Sequence, residues 1–241
     1  HPAEMNCACG TIKAVAVIHT PFKEKFGIPR QPGVAPSARG VVELLPPYDQ
    51  PQMLRGLQAF SHVWLIWCFH AVPAGKWQPL VRPPRLGGNR RVGVFASRAP
   101  FRPNPLGLSA VRLEAIEGSR LLVSGVDLMD GTPLLDIKPY VPYSDCIPQA
   151  TQGFARGAPE ARLQVSFTPA AESHLLQHEH GEELRRLIVE LLQVDPRPAY
   201  RLQEQGDYAF RLHDFDLRWR VTANGRDVVH SLVPVDASRN L

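Results

Sequence analysis

Hydrophobic and β-branched residues form short runs along the first 150 residues, and proline or glycine ends most of them. The segment Thr11–Thr20 reads TIKAVAVIHT and ends at Pro21, and Gly40–Leu45 reads GVVELL. The segment Ser61–His70 (SHVWLIWCFH) is apolar almost throughout, as expected of a strand buried on both faces. Further strands are predicted over 92–97, 108–117, 120–128 and 134–140, with Gly118-Ser119 as a hairpin link.

Helical spacing is rare in this half of the chain. It occurs over 51–60, where Met53, Leu54 and Leu57 fall on one side. Many short strands with few helices between them indicate a closed or sandwiched β domain and argue against a doubly wound α/β sheet. No glycine-rich nucleotide loop joins a strand to a helix, which argues against a Rossmann-type fold.

The pattern changes after about Ala150. Thr168-Pro169 predicts an N-cap and the start of a helix that reaches about His178, and 182–192 (EELRRLIVELL) predicts a second, amphipathic helix. Strands are predicted over 208–212, 216–221 and 228–233. We therefore predict a tail over 1–10, a β domain over 11–152 and a small α+β C-terminal appendage over 153–241.

Charge is distributed unevenly along the chain. The 27 lysines and arginines exceed the 23 acidic residues by only four, yet no carboxylate occurs between Gln50 and Leu113. The same stretch contains nine basic residues: Arg55, Lys76, Arg82, Arg85, Arg90, Arg91, Arg98, Arg102 and Arg112. The clustering predicts an anionic ligand, with a solvated surface as the alternative.

The sequence gives little support for a membrane protein, a metal site or a disulfide framework. No apolar run is long enough for a transmembrane helix, and no secretory leader is recognisable. Cys7 and Cys9 are too close for an ordinary disulfide, and the spacing of Cys68 and Cys146 does not fit zinc. We therefore expect a cytoplasmic protein with reduced thiols and no metal.

Two further groups of residues resemble a metal site or a catalytic pair. The trio of His174, His178 and His180 contains an i, i+4 pair, but no neighbouring carboxylate or cysteine completes a zinc site. Ser61-His62 suggests acyl transfer, although adjacent strand residues point to opposite faces and are not expected to form a nucleophile–base pair.

Three loops rich in proline, glycine and polar residues interrupt the β domain. They are Pro29–Gly33 (PRQPG), Arg98–Pro105 (RAPFRPNP) and Asp127–Pro133 (DLMDGTP). Proline restricts the shape of such loops, and a rigid loop presents polar groups to a ligand with little freedom to lose. Taken singly, each loop is also compatible with an ordinary turn.

The motifs GIPRQPG, AFSHVWLIW, VRPPRLGGN, VGVFASRAPFRPNPLGLS, VDLMDGTPLLDIKPYVPYSD and DPRPAYR occur in this order over roughly residues 12 to 235. Together they resemble the TsaA-like, or TrmO, family of tRNA methyltransferases, which act on N6-threonylcarbamoyladenosine beside the anticodon. The resemblance implies a mainly β fold, in which a single-sheet β-barrel, not a Rossmann sheet, binds S-adenosyl-L-methionine (SAM). It also implies a homodimer with the cofactor near the interface.

Carried over residue by residue, the resemblance implies a set of cofactor-binding positions. These are Arg30, Gln31, Pro32, Ser61, His62, Arg98, Arg102, Leu108, Asp127, Leu128, Met129 and Asp130. A guanidinium group can hold the α-carboxylate of SAM with two hydrogen bonds, which favours Arg30 or Arg98. Asp127 or Asp130 can balance the α-ammonium group or accept from the ribose.

The implied substrate is the anticodon loop of tRNA, and its N6 must lose a proton during transfer, so we expect a base. The motif position favours Asp136, with Tyr140 or Tyr200 orienting the adenine edge. Phosphate contacts are expected from Arg82, Arg85, Arg90 and Arg91 in the long loop and from Arg197 and Arg201 in DPRPAYR, where Tyr200 can stack on a base. Packing of the Arg197–Tyr200 segment between appendage and barrel is an equal alternative.

Two other functions compete with tRNA methylation. One is a SAM-binding RNA-binding or regulatory module that transfers no methyl group, and the other is the same barrel acting on a different nucleoside or small molecule. The intact DGTP and DIKPY segments favour an active enzyme.

Overall fold

A closed six-stranded barrel forms the first half of the protein. The computed structural model describes residues 5–7, 10–197, 201–202, 204–224 and 226–235, so Tyr200 lies outside the described residues. The strands of this half are β1 (Met5–Cys7), β2 (Gly10–Ile12), β3 (Ala16–His19), β4 (Arg39–Leu44), β5 (His62–Cys68), β6 (Leu80–Val81), β7 (Val92–Gly93), β8 (Leu106–Glu117), β9 (Arg120–Ser124) and β10 (Thr132–Pro139).

The barrel runs in the order β3-β4-β9-β8-β5-β10 and closes back onto β3, with every neighbouring pair antiparallel. It confirms the predicted single-sheet barrel. Two short ribbons, β1-β2 and β6-β7, lie outside it, as does the one-turn helix α1 (Pro142–Asp145). Closure removes the exposed sheet edges that an open sheet of six strands would have.

Alternation of inward and outward side chains builds the barrel core. Ile18, Val42, Leu65, Leu121 and Leu134 come from five different strands and are fully buried. Strand β5 alternates in the same way, so the prediction that it is buried on both faces is wrong. Its outward residues His62, Trp64 and Ile66 are only partly buried.

Two sequence predictions in this half fail for local reasons. The segment 51–60 forms two 3-10 turns, Pro51–Leu54 and Leu57–Ala59, because Gly56 between them adopts a left-handed conformation with φ of 90°. The predicted strand over 92–97 stops after two residues, and Val94–Ala96 form another 3-10 turn. Neither segment therefore adds a regular helix or strand to the barrel.

The C-terminal appendage is a four-stranded sheet with two helices. Its elements are β11 (Gln164–Phe167), α2 (Pro169–Gln177), α3 (Gly181–Gln193), β12 (Gly206–Leu212), β13 (Phe215–Val221) and β14 (Arg226–Pro234). The sheet order is β11-β14-β13-β12, with only the β11-β14 pair parallel. Both predicted helices are confirmed, and Thr168 caps α2 by accepting a hydrogen bond from the Ala171 N–H at 3.2 Å.

Barrel and appendage share a hydrophobic core at their junction. The rings of Phe26 and Phe210 meet edge to face at 5.6 Å, and a Cβ on Gly27 would lie 2.6 Å from the Phe210 ring. Ser37 and Glu190 of α3 form two hydrogen bonds of 2.8 Å. These contacts anchor the PRQPG loop on both sides. Within the described residues, no helix is both long and apolar enough to cross a membrane.

Candidate active site

The three predicted ligand loops meet at one end of the barrel. Arg98 donates from Nη1 to Oε1 of Gln31 at 2.5 Å, although the two residues are 67 positions apart. The Gly33 N–H donates to the Gly125 carbonyl at 2.9 Å, just before the aspartate loop. The charge of Arg98 also acts on Asp127. The structure therefore joins a guanidinium, an amide and a carboxylate from three separate loops.

Asp127 is the mostly buried carboxylate of this group. Its Oδ1 accepts a hydrogen bond of 2.6 Å from the Ser109 hydroxyl. Burial raises the pKa of Asp127 to about 6, although the hydrogen bonds from Ser109 and from its own backbone and the charge of Arg98 oppose that rise. The carboxylate is thus ionised at neutral pH but close to its titration range.

Asp130, at the other end of the same loop, is already engaged on both oxygens. Oδ1 accepts from the Thr20 N–H at 2.9 Å, and Oδ2 accepts from Lys23 Nζ at 2.7 Å. Burial opposes ionisation, but these hydrogen bonds hold the pKa of Asp130 below its ordinary value. Asp130 therefore ties the loop to the end of β3, and Asp127 is better placed to serve a ligand.

Leu128 and Met129 lie between the two aspartates. The Leu128 side chain is fully buried in the core, and its carbonyl accepts from Thr20 Oγ1 at 2.8 Å. The Met129 carbonyl accepts from the Thr132 hydroxyl at 2.6 Å. The Leu128 side chain supports the loop from below and does not reach its outer surface.

The predicted arginines of this site differ in where their side chains go. Arg30 donates from Nη2 to the Arg197 carbonyl at 3.3 Å, so its guanidinium is directed to the appendage. Arg102 donates from Nη1 to the carbonyls of Val94 and Ser97 at 3.0 and 2.6 Å and so braces its own loop. Pro32 is partly buried beside Gln31. Of the two arginines considered for the SAM carboxylate, Arg98 is the one grouped with Asp127.

A second group of predicted residues lies on the outer face of β5, β8 and β10. Ser61 Oγ lies 2.8 Å from His62 Nδ1, so the expectation that these side chains point apart is wrong. The reason is that Ser61 precedes β5 and strand alternation does not apply to it. Leu108 pairs with Ile66 across β5 and β8 and is half exposed.

The proposed base and its aromatic neighbour belong to this outer face. Asp136 lies opposite Ile66 at a bulge between β10 and β5, and its Oδ2 lies 3.1 Å from Lys138 Nζ. The Tyr140 ring lies 5.6 Å from that of Trp64 and 6.2 Å from that of His62. Both side chains are open to solvent on part of their surface.

The predicted phosphate contacts divide into exposed and buried arginines. Arg82, Arg90 and Arg91 are exposed, and Arg85 is exposed but donates to the carbonyls of Arg156 and Gly157 at 3.2 and 2.9 Å. Arg201 is half exposed, with its Nε 3.8 Å from the Glu204 carboxylate.

The burial of Arg197 argues against a phosphate contact and favours the packing alternative. Its side chain is only 3% exposed and forms a 2.6 Å ion pair with Asp195, whose side chain is 4% exposed. It also donates to the Glu204 carbonyl at 2.6 Å. A phosphate could not reach this guanidinium without breaking the pair, so Arg197 is a structural residue of the appendage.

A cleft of about 550 Å³ separates the barrel from α3. Its charged lining consists of Arg39, Arg112, Arg186, Glu114, Glu183 and Glu190. Three positive and three negative side chains cancel, and two ion pairs, Arg39–Glu183 and Arg112–Glu114, form at 3.4 Å. The cleft therefore lacks the excess positive charge of a phosphate site.

Sequence reasoning missed Ser109 and His70. Ser109 follows Leu108 in the PLGLS segment, and its signal was a polar residue at an inward position of β8. His70 lies just after β5. Burial lowers the pKa of His70, and the charge of Asp130 partly opposes this change. Within the described residues, no group of three or more His, Cys, Asp or Glu side chains is arranged to hold a metal ion.

Comparison with known proteins covers almost the whole chain. The family model of the tRNA-methyltransferase O N-terminal domain matches residues 17–146, and that of the TrmO C-terminal domain matches residues 160–233. The tRNA (adenine(37)-N6)-methyltransferase of Escherichia coli is 49% identical over 221 residues, which are 89% of this chain and 94% of that protein. A putative S-adenosylmethionine-dependent methyltransferase of Pseudomonas aeruginosa, RcsF, is 50% identical over 214 residues, 87% of this chain and 91% of its own.

Solved structures agree with these matches. The crystal structure of TrmO from Pseudomonas aeruginosa superposes with a TM-score of 0.74 at 41% identity, over 92% of this chain and 98% of that one. A second crystal structure of TrmO gives a TM-score of 0.76 at 42% identity over the same shares. This chain belongs to the tRNA-methyltransferase O (TrmO) family.

Proposed function

We propose that this protein transfers the methyl group of SAM to N6 of adenosine 37 in tRNA, and that the natural acceptor is the N6-threonylcarbamoyl derivative. The E. coli relative, which matches most of the chain, is named for methylation of adenine 37 at N6. The observation that carries the proposal is the meeting of Gln31, Arg98 and Asp127 from three loops. This set offers SAM a guanidinium for its carboxylate and an anion for its cationic or hydroxyl groups.

The donor set fits the cofactor chemically. Arg98 is exposed, and the amide of Gln31 orients its guanidinium for two hydrogen bonds to a carboxylate. Asp127, ionised at neutral pH, can accept from the α-ammonium group or from a ribose hydroxyl. When bound, SAM supplies an electrophilic methyl group on a sulfonium. The chain contributes mainly alignment, which can lower the barrier by several kcal/mol.

Asp136 is the proposed proton acceptor. Conjugation makes the N6 lone pair a weak nucleophile, so a base within reach assists transfer. Asp136 is partly exposed and held by Lys138 and the Ile137 N–H. Tyr140, beside Trp64, is proposed to orient the adenine edge. Neighbouring His62 and Ser61 belong to the same outer face.

A substitution tests the base. Asp136→Asn is expected to lower kcat roughly 100-fold, the usual contribution of a positioned base, and to leave SAM affinity unchanged. The exposed Asp49→Asn is the matched control for the loss of one carboxylate. Near-normal turnover in Asp136→Asn would assign the proton to another group.

The tRNA surface is proposed to include Arg82, Arg85, Arg90 and Arg91. All four are exposed in the long loop that precedes Arg98, within the acid-free segment. Arg201 is a further candidate on the appendage. Since phosphate contacts are electrostatic, affinity for tRNA should fall steeply as salt is added.

A homodimer is also part of the proposal. Large apolar side chains lie exposed beside the Arg98 loop: Phe95 is 79% exposed, and Phe101, Leu106 and Leu108 are partly exposed. Burial of these side chains against a second copy would place the interface next to the cofactor loops. Light scattering coupled to gel filtration tests this point. A cytoplasmic location, where tRNA and reduced cysteines coexist, completes the proposal.

Nucleoside mass spectrometry of tRNA tests the activity itself. Purified protein and SAM are incubated with tRNA from cells lacking the protein, and threonylcarbamoyladenosine is expected to gain the mass of one CH₂ unit. Omission of SAM and the Arg98→Ala variant are the controls. Binding of SAM or tRNA without that product would favour the non-catalytic binding module, and methylation elsewhere would favour a different acceptor.

A further inference from the structure

Two residues outside the three loops form a buried hydrogen-bond chain that ends on Asp127. Trp67 of β5 donates from Nε1 to Ser109 Oγ at 3.0 Å, and Ser109 of β8 donates to Asp127 Oδ1 at 2.6 Å. Ser109 is fully buried, and Trp67 is 7% exposed. The chain therefore runs inside the barrel from β5 across β8 to the aspartate loop.

The direction of this chain follows from the chemistry of its members. An indole N–H can only donate, and an ionised carboxylate can only accept. Ser109 must therefore accept from Trp67 and place its single proton on Asp127. If Asp127 were protonated, the serine proton would donate to a neutral carboxyl oxygen, which is a weaker acceptor than an ionised carboxylate. The chain thus favours the ionised carboxylate.

Local packing makes the chain possible. Trp67 pairs with Gly107 across β5 and β8, and a Cβ on Gly107 would lie 2.2 Å from the Trp67 ring. The indole consequently lies over the glycine and reaches Ser109, two residues further along the same inward face of β8. Any larger residue at 107 would displace the indole from this position.

Few charged groups act on Asp127. Besides Ser109 and its own backbone N–H, the described charged side chain that acts on it is Arg98, which Gln31 holds. Asp130, in contrast, is held by Thr20 and Lys23. Ionisation of Asp127 therefore depends strongly on the one serine hydroxyl.

We propose that Ser109, oriented by Trp67, is the positioning residue that holds the Asp127 carboxylate ionised where the cofactor loops meet, so that it can accept a hydrogen bond from SAM. This inference rests on the proposed function, because it takes Asp127 as a cofactor ligand. It adds two residues that lie outside the loops and act on the cofactor only through Asp127.

The test measures SAM affinity by calorimetry as a function of pH. Wild-type affinity is expected to fall as the pH drops through the Asp127 pKa of about 6, since protonation removes the negative charge that strengthens the hydrogen bond from SAM. Ser109→Ala removes a hydrogen bond that favours the ionised form, so the fall should begin about one pH unit higher. KM for SAM should rise accordingly, while kcat at saturating SAM changes little.

Companion variants separate positioning from folding. Ser109→Thr keeps the hydroxyl, so its SAM affinity should fall at the same pH midpoint as in the wild type. Trp67→Phe should raise this pH midpoint, but by less than Ser109→Ala does. Ser109→Ala added to Asp127→Asn should cause no further loss of affinity. Ser124→Ala is the matched control, because Ser124 is a buried serine of β9 that donates to Glu114 instead. Circular dichroism checks the fold of each variant.

The outcomes are distinguishable. A midpoint that is the same in Ser109→Ala as in the wild type, or that moves equally in Ser124→Ala, would overturn the inference even if methyl transfer is intact. A wild-type protein that binds no SAM at any pH would instead overturn the proposed function on which it rests.

Discussion

Two combinations of an arginine and an aspartate in this protein differ in their surroundings. Arg197 and Asp195 are two residues apart, fully buried, and joined at 2.6 Å within the appendage. Arg98 and Asp127 come from different loops of the barrel, and Arg98 stays exposed with Gln31 as its hydrogen-bond partner. The first pair neutralises itself, whereas we propose that Arg98 and Asp127 bind the cofactor.

The difference shows that neighbouring residues in the sequence influence which partner an arginine side chain contacts. In DPRPAYR, Asp195 lies only two residues before Arg197 and forms an ion pair with it. Arg98 belongs to a segment without any carboxylate from Gln50 to Leu113, so no neighbour in sequence can neutralise it. The presence or absence of a carboxylate nearby in the sequence therefore separates the surroundings of these two arginines.

The largest expected effect is on the buried pair. Arg197→Ala leaves the Asp195 carboxylate buried without its partner and is expected to lower the free energy of unfolding by about 3–5 kcal/mol. Urea denaturation measures this change. Arg201→Ala, whose ion pair is exposed, should cost less than about 1 kcal/mol. If Arg197→Ala were as stable as the wild type but bound tRNA weakly, Arg197 would be a phosphate contact and not a structural residue.

Substitution of Asp127 should change the free energy of unfolding in the direction opposite to Arg197→Ala. The Asp127 pKa of about 6, against an ordinary 3.8, means that its ionised form destabilises the fold. Asp127→Asn is expected to raise the free energy of unfolding above pH 6 by up to about 3 kcal/mol, because two pKa units correspond to that energy.

This gain has a defined pH dependence. The wild-type protein recovers stability as the pH falls through 6, since its folded carboxyl takes up a proton, and the difference should vanish below 3.8. Thermal melts of both proteins over this range measure it. A variant that is less stable than the wild type at mildly alkaline pH would contradict the assignment of Asp127 as a carboxylate whose burial raises its pKa.

Arg98 should affect ligand binding without affecting the fold. Arg98→Ala is expected to weaken SAM binding roughly 10- to 100-fold, since it removes hydrogen bonds to a charged group. The free energy of unfolding should stay within about 0.5 kcal/mol of wild type, as for most surface substitutions. Calorimetry with SAM and urea denaturation measure the two quantities. The exposed Arg120→Ala is the control, and equal SAM affinity in both variants would contradict the role of Arg98.

The smallest effect concerns the long loop. Arg90→Ala is expected to weaken tRNA binding uniformly and to reduce the slope of log affinity against log salt by about one. SAM affinity should not change. Filter binding at several salt concentrations measures the slope, with Arg120→Ala as a variant of equal charge. An unchanged slope would show that Arg90 faces solvent when tRNA is bound.

Hydrophobic patterning alone identified most of the strands. The strands predicted over 108–117, 120–128 and 134–140 overlap β8, β9 and β10, and both long helices began close to their predicted residues. The failures lie where glycine or a short turn overrides periodicity, at Gly56 and at Val94–Ala96. Strand β11 was not predicted, because its four residues, QVSF, carry too little pattern.

The sequence by itself determined the family and the β-rich fold and predicted that three loops bind a ligand, because these follow from local motifs and from hydrophobic periodicity. Only the tertiary structure decided which partner each polar side chain contacts. Barrel closure brings Trp67, Ser109 and Asp127 into one chain, and the junction turns Arg30 toward a carbonyl 167 residues away. The physical reason is that strand register and burial decide which partner each charge meets and how readily it ionises.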